Sequence, residues 1–503
     1  MDVMIAGGLR RKARGDNISL ALNAAQNGLI ARVADDLRPS EQRRLVIGAM
    51  EMGTGKTLAA LAALCRLRGE ALRAGSANPV RALFVVPKST LHDVWHRQRR
   101  AFTQLRPADI KIVTYPQLQR AFLSGWKRQR SDDRRRLEWV REKGSPLLER
   151  RWSYLVFDES HILRNPRRMS VLGSAASVVS GRAERVLCLT GTPIHNGPRD
   201  ASGQLRAMMS GSLLENPSAF GASSTMPQAE AASQFNSRFV YTSSLLDAGV
   251  ILPPKERVTV WVDHGLDEEG VDTYNECLAK SRRRSTAHDS RHHILAMRQL
   301  CNEPALYHKH GRLAFDETAR AATVENPGLK LQAAVDLTRR LVFEGHDKIV
   351  VVSEFVTLLD TYKELALVHL GENCASFDGR LSAKERCRVV DDFLGSERRV
   401  LCLSLHAGAF GLNLVPGPTA MIIVGVWWNP AVHRQVEARI HRIGQNMPVV
   451  IHTIVTRDSI EAVMLAAHES KEACAAAMLF SEEFEEKNPS GVIELCKPLV
   501  CKV

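Results

Sequence analysis

The chain has 503 residues and a net charge of +13, and 45% of its residues are hydrophobic. This length allows about two to four domains, and the composition is typical of a soluble globular protein. The positive charge favours a polyanionic partner, of which nucleic acid is the commonest. No apolar run approaches the roughly 20 residues that span a bilayer, and no signal peptide is recognised, so we expect no membrane partner. The ten cysteines include no Cys-x-x-Cys pair, which argues against finger-type zinc sites and favours reduced core residues.

The N-terminal segment, residues 1–16, is rich in Gly, Arg and Lys, and we expect it to be flexible. Its cluster Arg10–Arg14 is interpreted as part of a solvated tail, with a nuclear-import or phosphate-contacting cluster as the alternative. From Ile18 to Val33 apolar residues recur at helical spacing, which predicts a helix. Gln26 lies within this helix and by itself is only a polar surface residue.

The stretch Gly48–Thr57 has the pattern of a phosphate-binding loop. Leu45–Ile47 predicts a buried strand, a glycine-rich turn follows, and the apolar residues beyond it predict a helix. Such a unit binds phosphate through backbone N–H groups and the positive end of the helix, while Lys56 reaches the terminal phosphates and Thr57 binds Mg²⁺. An ordinary strand-to-helix turn is the alternative, since Met50 stands where the strict pattern has glycine. The expected nucleotide-binding residues of the loop are Gly53, Thr54, Gly55, Lys56 and Thr57.

Two further segments, Arg81–Pro87 and Ile110–Thr114, are almost uniformly apolar. This is typical of parallel strands that are buried on both faces. Lys88 and Ser89 follow the first segment and precede a predicted helix that contains Trp95. Both strands therefore end in polar residues that are candidates for ligand contacts.

Two adjacent carboxylates, Asp158 and Glu159, end another buried strand. Ligands of open α/β folds bind at the carboxyl ends of the strands. Asp158 suits the Mg²⁺ shell, and Glu159 could orient and deprotonate an attacking water. A strand at residues 186–189 is followed by Thr190-Gly-Thr-Pro193. The alternation of strands and helices from 45 to 193 predicts a doubly wound parallel sheet with its ligand loops on one edge.

The remaining regions are polar, apart from a second α/β unit. Residues 195–250 are expected to form helices and loops, and residues 257–262 an alternating strand. Residues 127–151 and 266–330, the latter with the basic run 280–284, are predicted to be solvated and helical. For residues 127–151 a surface that faces nucleic acid is the alternative. The predicted strands of the second unit are 348–352, 400–403, 421–424 and 449–455.

From about residue 22 to residue 465 the chain resembles the Swi/Snf-type ATPases of helicase superfamily two. The matching motifs occur in the family's order: Leu22–Gln26, Ala49–Thr57, Asp158–His161 with Arg164-Asn165, Leu189–Pro193 with Asn196, Val352–Phe355, Phe377–Gly379 with Glu385-Arg386, Ser404–Leu414, Trp428–Pro430 and Gln435–Gln445. Two further segments are similar to those that begin and end a helical insertion in this family: Leu252–Lys255 and Leu295–Pro304. These two segments are particular to this family and are not found in helicases at large.

The resemblance implies two RecA-like doubly wound parallel-sheet α/β lobes with a helical insertion. The domains expected on this basis are the flexible segment 1–16, an ATP-binding lobe 17–262, the insertion 263–330, a second lobe 331–475 and a tail 476–503. ATP and Mg²⁺ are the implied cofactors, and Gln26 is the implied adenine-reading residue. The chain departs from the family at Glu354, Phe410 and His406, which lie beside loops expected to contact nucleic acid.

Gln435, Arg439 and Arg442 recur at three- and four-residue spacing, which predicts that they lie together on a helix. Guanidinium groups suit the charge that develops on a transferring phosphoryl group, and structural salt bridges are the alternative. Because Lys56 and Glu159 lie in the first lobe, ATP is expected to bind in the cleft between the lobes, and hydrolysis to require closure. The expected catalytic residues are Lys56, Asp158, Glu159, Gln435, Arg439 and Arg442.

The expected function is ATP-dependent translocation along double-stranded DNA, with remodelling of protein–DNA complexes such as nucleosomes or polymerase complexes. Hydroxyl, amide and Lys side chains at strand ends hold a phosphate backbone without reading sequence. The candidate nucleic-acid contacts are Lys88, Ser89, Thr114, Ser404, Trp428 and Asn429. The alternatives are a strand-separating DNA or RNA helicase and a non-enzymatic DNA- or polymerase-binding adaptor. We expect a nuclear location in a eukaryotic or viral setting and a cytoplasmic one in bacteria.

Overall fold

The computed structural model of the chain contains two compact units. Of the described residues, the first unit holds those up to Ile251 and the second those from Leu252 onward. The structure describes residues 10–13, 16–19, 22–35, 44–76, 80–88, 90–102, 105–130, 137–163, 170–191, 204, 208, 239–282, 287–304, 307, 323–408 and 412–468.

The first unit contains ten strands and six α-helices with described bounds. The strands are β1 (Arg10–Ala13), β2 (Asp16–Ser19), β3 (Arg44–Met50), β4 (Ala82–Val86), β5 (Ile110–Thr114), β6 (Trp126–Arg130), β7 (Leu137–Arg141), β8 (Trp152–Asp158), β9 (Ala183–Thr190) and β10 (Val240–Ser243). The helices are α1 (Ala24–Ala34), α2 (Lys56–Arg73), α3 (Arg97–Ala101), α4 (Tyr115–Leu123), α5 (Pro146–Glu149) and α6 (Val171–Ser180). A π-helix spans Leu91–His96 and a 3-10 helix spans Ser160–Leu163.

Six of these strands form a parallel sheet in the order β10–β3–β9–β8–β4–β5. The strands predicted between residues 45 and 193 all lie in this sheet, so the doubly wound parallel arrangement is confirmed. The edge strand β10 is an addition, because residues 195–250 were predicted to hold only helices and loops. It pairs with β3, where Val240 lies opposite Ile47.

The sheet of the first unit is covered on both faces. In β4, Phe84 and Val86 pack into the hydrophobic core that includes α1 and α2. Leu83 and Val85 point the other way, into the core that includes α4 and α6. Because successive side chains of a strand face opposite sides, a strand buried on both faces is apolar throughout. This explains the uniform apolar runs in the sequence.

The N-terminal region differs from its prediction at residues 10–13 and at the start of its helix. Residues 10–13, expected to be flexible, form β1, which pairs antiparallel with β2. The helix predicted from Ile18 begins only at Ala24, because Asn23 is its N-cap. The Asn23 side chain accepts a bond from the Gln26 N–H at 2.8 Å, and Gln26 Oε1 accepts one from the Asn23 N–H at 3.1 Å. This capping box satisfies N–H groups that a helix start leaves open.

Within its described residues, the basic region 127–151, predicted to be helical, contains the strands β6 and β7 and only the short helix α5. β6 pairs antiparallel with β7, so that Trp126 lies opposite Arg141. The Trp126 ring stacks on Phe122 of α4 at 5.2 Å between centroids, and Trp139 meets the same ring edge-on at 5.0 Å. Tertiary packing of the two tryptophans thus overrides the helical preference of the Arg, Lys and Glu residues around them.

The second unit contains six strands and seven α-helices with described bounds. The strands are β11 (Lys255–Val262), β12 (Ile349–Ser353), β13 (Ala375–Phe377), β14 (Val400–Ser404), β15 (Ala420–Val424) and β16 (Val449–Thr456). The helices are α7 (Glu268–Arg282), α8 (Ala287–Asn302), α9 (Leu329–Phe343), α10 (Val356–Leu370), α11 (Ala383–Gly395), α12 (Leu405–Gly408) and α13 (Pro430–Glu437). Among the described residues of the chain, no helix has both the length and the apolar character to cross a membrane.

The strands of the second unit form one parallel sheet in the order β11–β16–β15–β12–β14–β13. The four strands predicted from the sequence are all present. The strand β11 was predicted to close the first lobe, which we expected to reach residue 262. It instead pairs with β16 along its whole length, from Lys255 opposite Val449 to Val262 opposite Thr456. The pairing of β11 therefore places it at the edge of the second sheet.

The helical segment that follows β11 packs on the second unit. Within its described residues, α7 and α8 confirm the predicted helices. Tyr274, Met297 and Cys301 from these helices share a core with Val455 of β16 and Ile460. The Tyr274 hydroxyl also accepts a hydrogen bond from the Ile460 N–H at 2.7 Å. The helical segment is thus part of the second unit's packing.

Candidate functional site

The loops predicted to bind the nucleotide lie at one edge of the first sheet. All six strands are parallel, so the loops that follow them leave the sheet on the same side. Five segments therefore meet at this edge: the phosphate loop after β3, Gly191 after β9, Glu159 after β8, Lys88 after β4 and Tyr115 after β5. Strand pairing thus gathers segments that are far apart in the sequence.

The phosphate loop, residues 51–56, takes its shape from two glycines. Gly53 has φ 91° and Gly55 has φ 84°, values that residues with side chains rarely adopt. A Cβ on Gly55 would also overlap the side-chain amide of Gln26. Thr54, between the two glycines, is buried, and its hydroxyl donates to the Glu51 carbonyl at 2.7 Å. The loop conformation therefore depends on both glycines.

Lys56, the first residue of α2, folds back over the loop. Its Nζ donates to the carbonyl oxygens of Met50 at 2.8 Å and Glu51 at 3.1 Å. A Cβ on Gly191 would lie 3.9 Å from this Nζ, so the residue after β9 borders the ammonium group. Met50 has its side chain in the hydrophobic core. Met50 therefore contributes only its backbone to the loop, as the glycine of the strict pattern would.

Gln26, predicted to read the adenine, is buried and uses its amide within the protein. Its Oε1 takes part in the capping box of α1, and its Nε2 donates to the Thr54 carbonyl at 2.9 Å. The side chain thus joins the start of α1 to the phosphate loop. Contact with an adenine stays a prediction.

Asp158, the last residue of β8, is buried, and both of its carboxylate oxygens accept hydrogen bonds. Oδ2 accepts from Trp95 Nε1 at 2.8 Å, and Oδ1 accepts from the Glu159 N–H at 3.1 Å. Burial and, second, the charge of Glu159 raise the pKa of Asp158 to about 7, while the Trp95 bond and the Lys56 ammonium oppose the rise. A divalent cation beside this carboxylate would favour its ionised form.

Glu159 has a strained backbone. Its φ is 50°, a left-handed conformation that costs a non-glycine residue about 1–3 kcal/mol. Residues with such strained backbones are concentrated at functional sites. Glu159 Oε2 lies 3.3 Å from His161 Nδ1, which in turn lies 3.5 Å from Thr190 Oγ1 at the end of β9. His161 therefore connects the carboxylate to the neighbouring strand, a contact that the motif itself does not reveal.

This set of groups fits a nucleotide bound with Mg²⁺. The loop leads into the N-terminus of α2, an 18-residue helix, whose free N–H groups favour anions. Among the described residues, no group of three or more His, Cys, Asp or Glu side chains could hold a metal ion by itself. Mg²⁺ at nucleotide sites uses one or two carboxylates together with substrate phosphates. Thr57 and Asp158 are the residues suited to hold it here.

The candidate nucleic-acid contacts of the first unit differ in their surroundings. Lys88 is exposed after β4. Thr114 is buried, and its hydroxyl accepts a bond from the Gln117 N–H at 3.3 Å as the N-cap of α4. Several residues of the predicted motifs lie outside the described residues: Ser89, Arg164, Asn165, Thr192, Pro193, Asn196, Arg283, Arg284, Phe410 and Gly411.

The prediction that Gln435, Arg439 and Arg442 share one helix is wrong. α13 ends at Glu437, and the chain continues in turns in which the Arg439 N–H bonds to the carbonyl three residues back at 2.9 Å. Arg439 still lies beside Gln435, because its Nε donates to the Gln435 carbonyl at 2.9 Å and its Nη1 to the Leu412 carbonyl at 3.1 Å. Spacing alone could not show where the helix ends.

Arg442 differs from Arg439 in its partners. Its guanidinium is half-buried and forms no hydrogen bond or ion pair with the part of the chain that the structure describes. Burial lowers the pKa of Arg442 from its ordinary value. Within these residues, the alternative of a structural salt bridge does not account for Arg442.

The candidate nucleic-acid contacts of the second unit lie at strand and helix ends. Ser404 ends β14 and is buried. Trp428 is half-buried against the core shared with the helical segment. The Asn429 side chain accepts a bond from the Ala431 N–H at 3.0 Å and caps α13. Their contacts with nucleic acid stay predictions.

Two departures from the family pattern lie near the segment 426–427, His406 by direct contact and Glu354 through Arg298. Glu354 forms an ion pair with Arg298 of α8, whose guanidinium also donates to the Val426 carbonyl at 3.0 Å. Arg298 lies over the Trp427 ring, 4.9 Å from its centroid. His406 meets the same ring edge-on at 4.7 Å between centroids. Glu354 and His406 are thus neighbours of Trp427, immediately before Trp428.

A buried ion pair anchors the closing segment of the insertion, Leu295–Pro304. Lys330 pairs with Glu461, and their side chains are 2% and 0% exposed. Glu461 also accepts bonds from Asn302 Nδ2 at 2.8 Å and from the Thr456 N–H at 3.1 Å. Asn302, which the sequence singled out only by its motif, therefore has a structural role.

Lys330→Met is expected to lower the free energy of unfolding by about 3–5 kcal/mol, because it leaves the Glu461 carboxylate buried without its countercharge. Arg339→Met is a matched control on the same helix, since Arg339 and its partner Asp336 are 55% and 59% exposed. Exposed pairs contribute about 1 kcal/mol or less. Guanidinium denaturation of the full chain measures both losses, and equal losses would contradict an anchoring role for the Lys330–Glu461 pair.

Two protein families match the chain. The SNF2-related domain matches residues 38–306. The helicase conserved C-terminal domain matches residues 330–444. The two matches follow one another along the chain, in the order in which the two sheets occur.

Individual relatives are distant in sequence. Chromodomain-helicase-DNA-binding protein 9 of Homo sapiens is 26% identical over 493 residues, which are 90% of this chain and 16% of that protein. The chain thus spans only a small part of that relative. The probable global transactivator of Orgyia pseudotsugata multicapsid polyhedrosis virus is 26% identical over 344 residues, 65% of this chain and 67% of that protein. Among solved structures, the SWI2/SNF2 ATPase core of Sulfolobus solfataricus in complex with dsDNA is 21% identical, covers 95% of this chain and 96% of that chain, and has a TM-score of 0.38.

Proposed function

We propose that this chain, which belongs to the Swi/Snf-type ATPase family of the SNF2-related domain, hydrolyses ATP and uses the energy to move along double-stranded DNA. The observation that carries the proposal is the arrangement at the edge of the first sheet. There the Lys56 ammonium folds over a glycine-shaped loop, close enough to Asp158 to oppose the rise in the pKa of that carboxylate. The match to the SNF2-related domain supports ATP as the nucleotide.

The nucleotide-site residues at this edge have separate roles in the proposed hydrolysis. The phosphate loop and Lys56 hold the phosphates, and Thr57 and Asp158 hold Mg²⁺, which when bound neutralises charge on the phosphates. Glu159 orients the attacking water and accepts its proton, a role worth about 10²–10⁴ in rate. The strained backbone of Glu159 and the neighbouring His161 favour one direction for its carboxylate.

In the second unit, we assign Arg442 to the charge that develops on the transferring phosphoryl group. A half-buried guanidinium without a partner among the described residues is suited to bind an anion. Arg439 is held by the carbonyls of Gln435 and Leu412, which favours a role in shaping this segment. Direct catalytic roles for Gln435 and Arg439 are also part of the proposal.

The proposed substrate is double-stranded DNA in protein–DNA complexes such as nucleosomes or polymerase complexes. The net charge of +13 supports a polyanionic partner. Lys88 offers an exposed ammonium at a strand end, the chemistry that holds a phosphate backbone without reading bases. Such a protein would act in the nucleus in a eukaryotic or viral setting and in the cytoplasm of a bacterium.

The decisive experiment compares ATP hydrolysis by the full chain with double-stranded DNA, single-stranded DNA, RNA and nucleosomes. Duplex DNA and nucleosomes are expected to raise the rate several-fold, and single strands and RNA to raise it less, because the proposed track is a duplex. The same preparation is expected to displace the third strand of a DNA triplex without unwinding a fluorescent duplex. Strand separation would favour the helicase alternative, and the absence of hydrolysis under all conditions would favour the adaptor.

A further inference from the structure

Two buried aromatic side chains converge on Asp158 from two different loops of the first unit. Trp95, in the π-helix after β4, donates its indole N–H to Asp158 Oδ2 at 2.8 Å. Tyr115, the first residue of α4 after β5, donates its hydroxyl to the Asp158 carbonyl oxygen at 2.7 Å. Trp95 is 0% and Tyr115 is 4% exposed. Both bonds are thus shielded from water. A hydrogen bond is stronger in such an interior than in water.

Trp95 is connected to the β4 loop, which we define as Pro87, Lys88 and Thr90. The backbone N–H of Trp95 donates to the Thr90 carbonyl at 3.1 Å. Thr90 in turn donates to the Pro87 carbonyl through both its backbone N–H and its hydroxyl, each at 3.2 Å. Lys88, the exposed member of this loop, is a proposed DNA contact. π-helical turns are rare and are frequent at functional sites. A displacement of the β4 loop would therefore displace the indole that holds Asp158.

Tyr115 is connected in the same way to the end of β5. Thr114, another proposed DNA contact, forms a capping box with Gln117, whose Oε1 accepts a bond from the Thr114 N–H at 2.7 Å. The Tyr115 ring stacks on Phe157, the residue before Asp158, at 6.5 Å between centroids. A change at Thr114 is therefore passed to Asp158 through one covalent neighbour and one hydrogen bond.

Packing alone does not explain these two bonds. Trp152 and Tyr154 of β8 are also buried in this unit. The Trp152 indole donates to the Leu147 carbonyl at 3.3 Å, and the Tyr154 hydroxyl has no partner among the described residues. Buried rings of the same types thus occur here without a bond to a carboxylate residue of the site.

We propose that Trp95 and Tyr115 are positioning residues that couple DNA binding, at the β4 loop and Thr114, to the placement of Asp158 at the nucleotide. The inference rests on the proposed function, since it takes Lys88 and Thr114 as DNA contacts and Asp158 as a Mg²⁺ ligand. DNA bound to the loops holds the two donors in place; Trp95 then holds the Asp158 carboxylate, and Tyr115 holds the backbone carbonyl of the same residue. By linkage, a bound nucleotide changes the affinity for DNA by the same factor as DNA changes the affinity for the nucleotide.

The test measures this coupling in binding and not in hydrolysis. Fluorescence anisotropy gives the Kd of the full chain for a DNA duplex, without nucleotide and with Mg²⁺ and a non-hydrolysable ATP analogue. In the wild type the two values are expected to differ about 5–150-fold, the usual range for coupled sites. In Trp95→Phe and Tyr115→Phe, which keep a ring but lose the N–H or hydroxyl donor, the ratio is expected to fall towards one.

Trp152→Phe and Tyr154→Phe are matched controls that are expected to keep the wild-type ratio. A wild-type ratio in both Trp95→Phe and Tyr115→Phe would overturn the proposal, and so would a ratio of one in the wild type. If circular dichroism shows that Trp95→Phe does not fold, Tyr115→Phe decides the outcome. DNA-stimulated hydrolysis by the wild type separates the two levels of inference: stimulation without the coupling defeats this proposal alone, whereas no stimulation defeats the proposed function.

Discussion

Lys56→Ala is expected to lower the DNA-stimulated rate of ATP hydrolysis by at least about 10²–10³-fold, the usual loss when one preorganised charge-stabilising group is removed. In the structure the Lys56 ammonium is held by the carbonyls of Met50 and Glu51. Phosphate oxygens carry charge and bind an ammonium group more strongly than neutral carbonyls do. The same ammonium also opposes the rise in the pKa of Asp158 that burial causes. The variant therefore loses a group that acts on both the phosphates and the carboxylate.

A steady-state ATPase assay over a range of ATP and DNA concentrations measures this loss. Lys111→Ala is the matched control, because Lys111 is exposed on β5 and the variant changes the net charge equally. The control is expected to hydrolyse ATP at the wild-type rate, and both variants are expected to bind duplex DNA. Should Lys56→Ala retain DNA-stimulated hydrolysis, the assignment of the nucleotide site to this loop is wrong.

Arg442→Ala is expected to lower the DNA-stimulated kcat by about 10³–10⁵-fold, the loss typical of an arginine that stabilises a transferring phosphoryl group. Within the described residues its guanidinium has no partner, so its removal breaks no hydrogen bond or ion pair there. The thermal unfolding midpoint is therefore expected to stay close to that of the wild type. A single-turnover ATPase assay and a thermal melt on the same preparation test both statements.

Arg439→Ala provides the contrast, since it removes bonds to the carbonyls of Gln435 and Leu412. It is expected to lower the thermal midpoint as well as the rate. Arg388→Ala, an exposed change on α11, controls for the loss of one positive charge. Wild-type kcat in Arg442→Ala would exclude the proposed role of Arg442, and a lowered midpoint would point to a structural role.

The central strands of both sheets could be predicted because their burial is visible in single segments. Every residue of β4 and of β12 is buried, and a parallel strand covered on both faces is apolar along most of its length. The phosphate loop is equally local. Gly53 and Gly55 have left-handed φ values that favour glycine over other residues. Such features need no knowledge of distant residues.

Elements whose structure depends on distant partners could not be predicted in the same way. The hairpin of β6 and β7 depends on tryptophans that pack on Phe122, and charged residues around them favour a helix when read alone. The strand β11 has an ordinary alternating pattern, which does not show with which sheet it pairs. Two residues of β11 also bind the buried Glu437 carboxylate, which accepts hydrogen bonds from Lys255 at 3.0 Å and from Arg257 at 2.7 Å. Burial alone would raise the pKa of Glu437, but these two partners hold it below its ordinary value.

The sequence by itself therefore determined the order of the motifs, the two α/β units and the residue types of the nucleotide site. Only the tertiary structure decided how these residues are held: Lys56 on the loop carbonyls, Glu159 beside His161, and Asp158 between Trp95 and Tyr115. The physical reason is that backbone conformation and strand burial depend on neighbouring residues, which leave a local pattern. A hydrogen bond between residues dozens of positions apart depends on how whole elements pack, and it leaves no pattern in either segment.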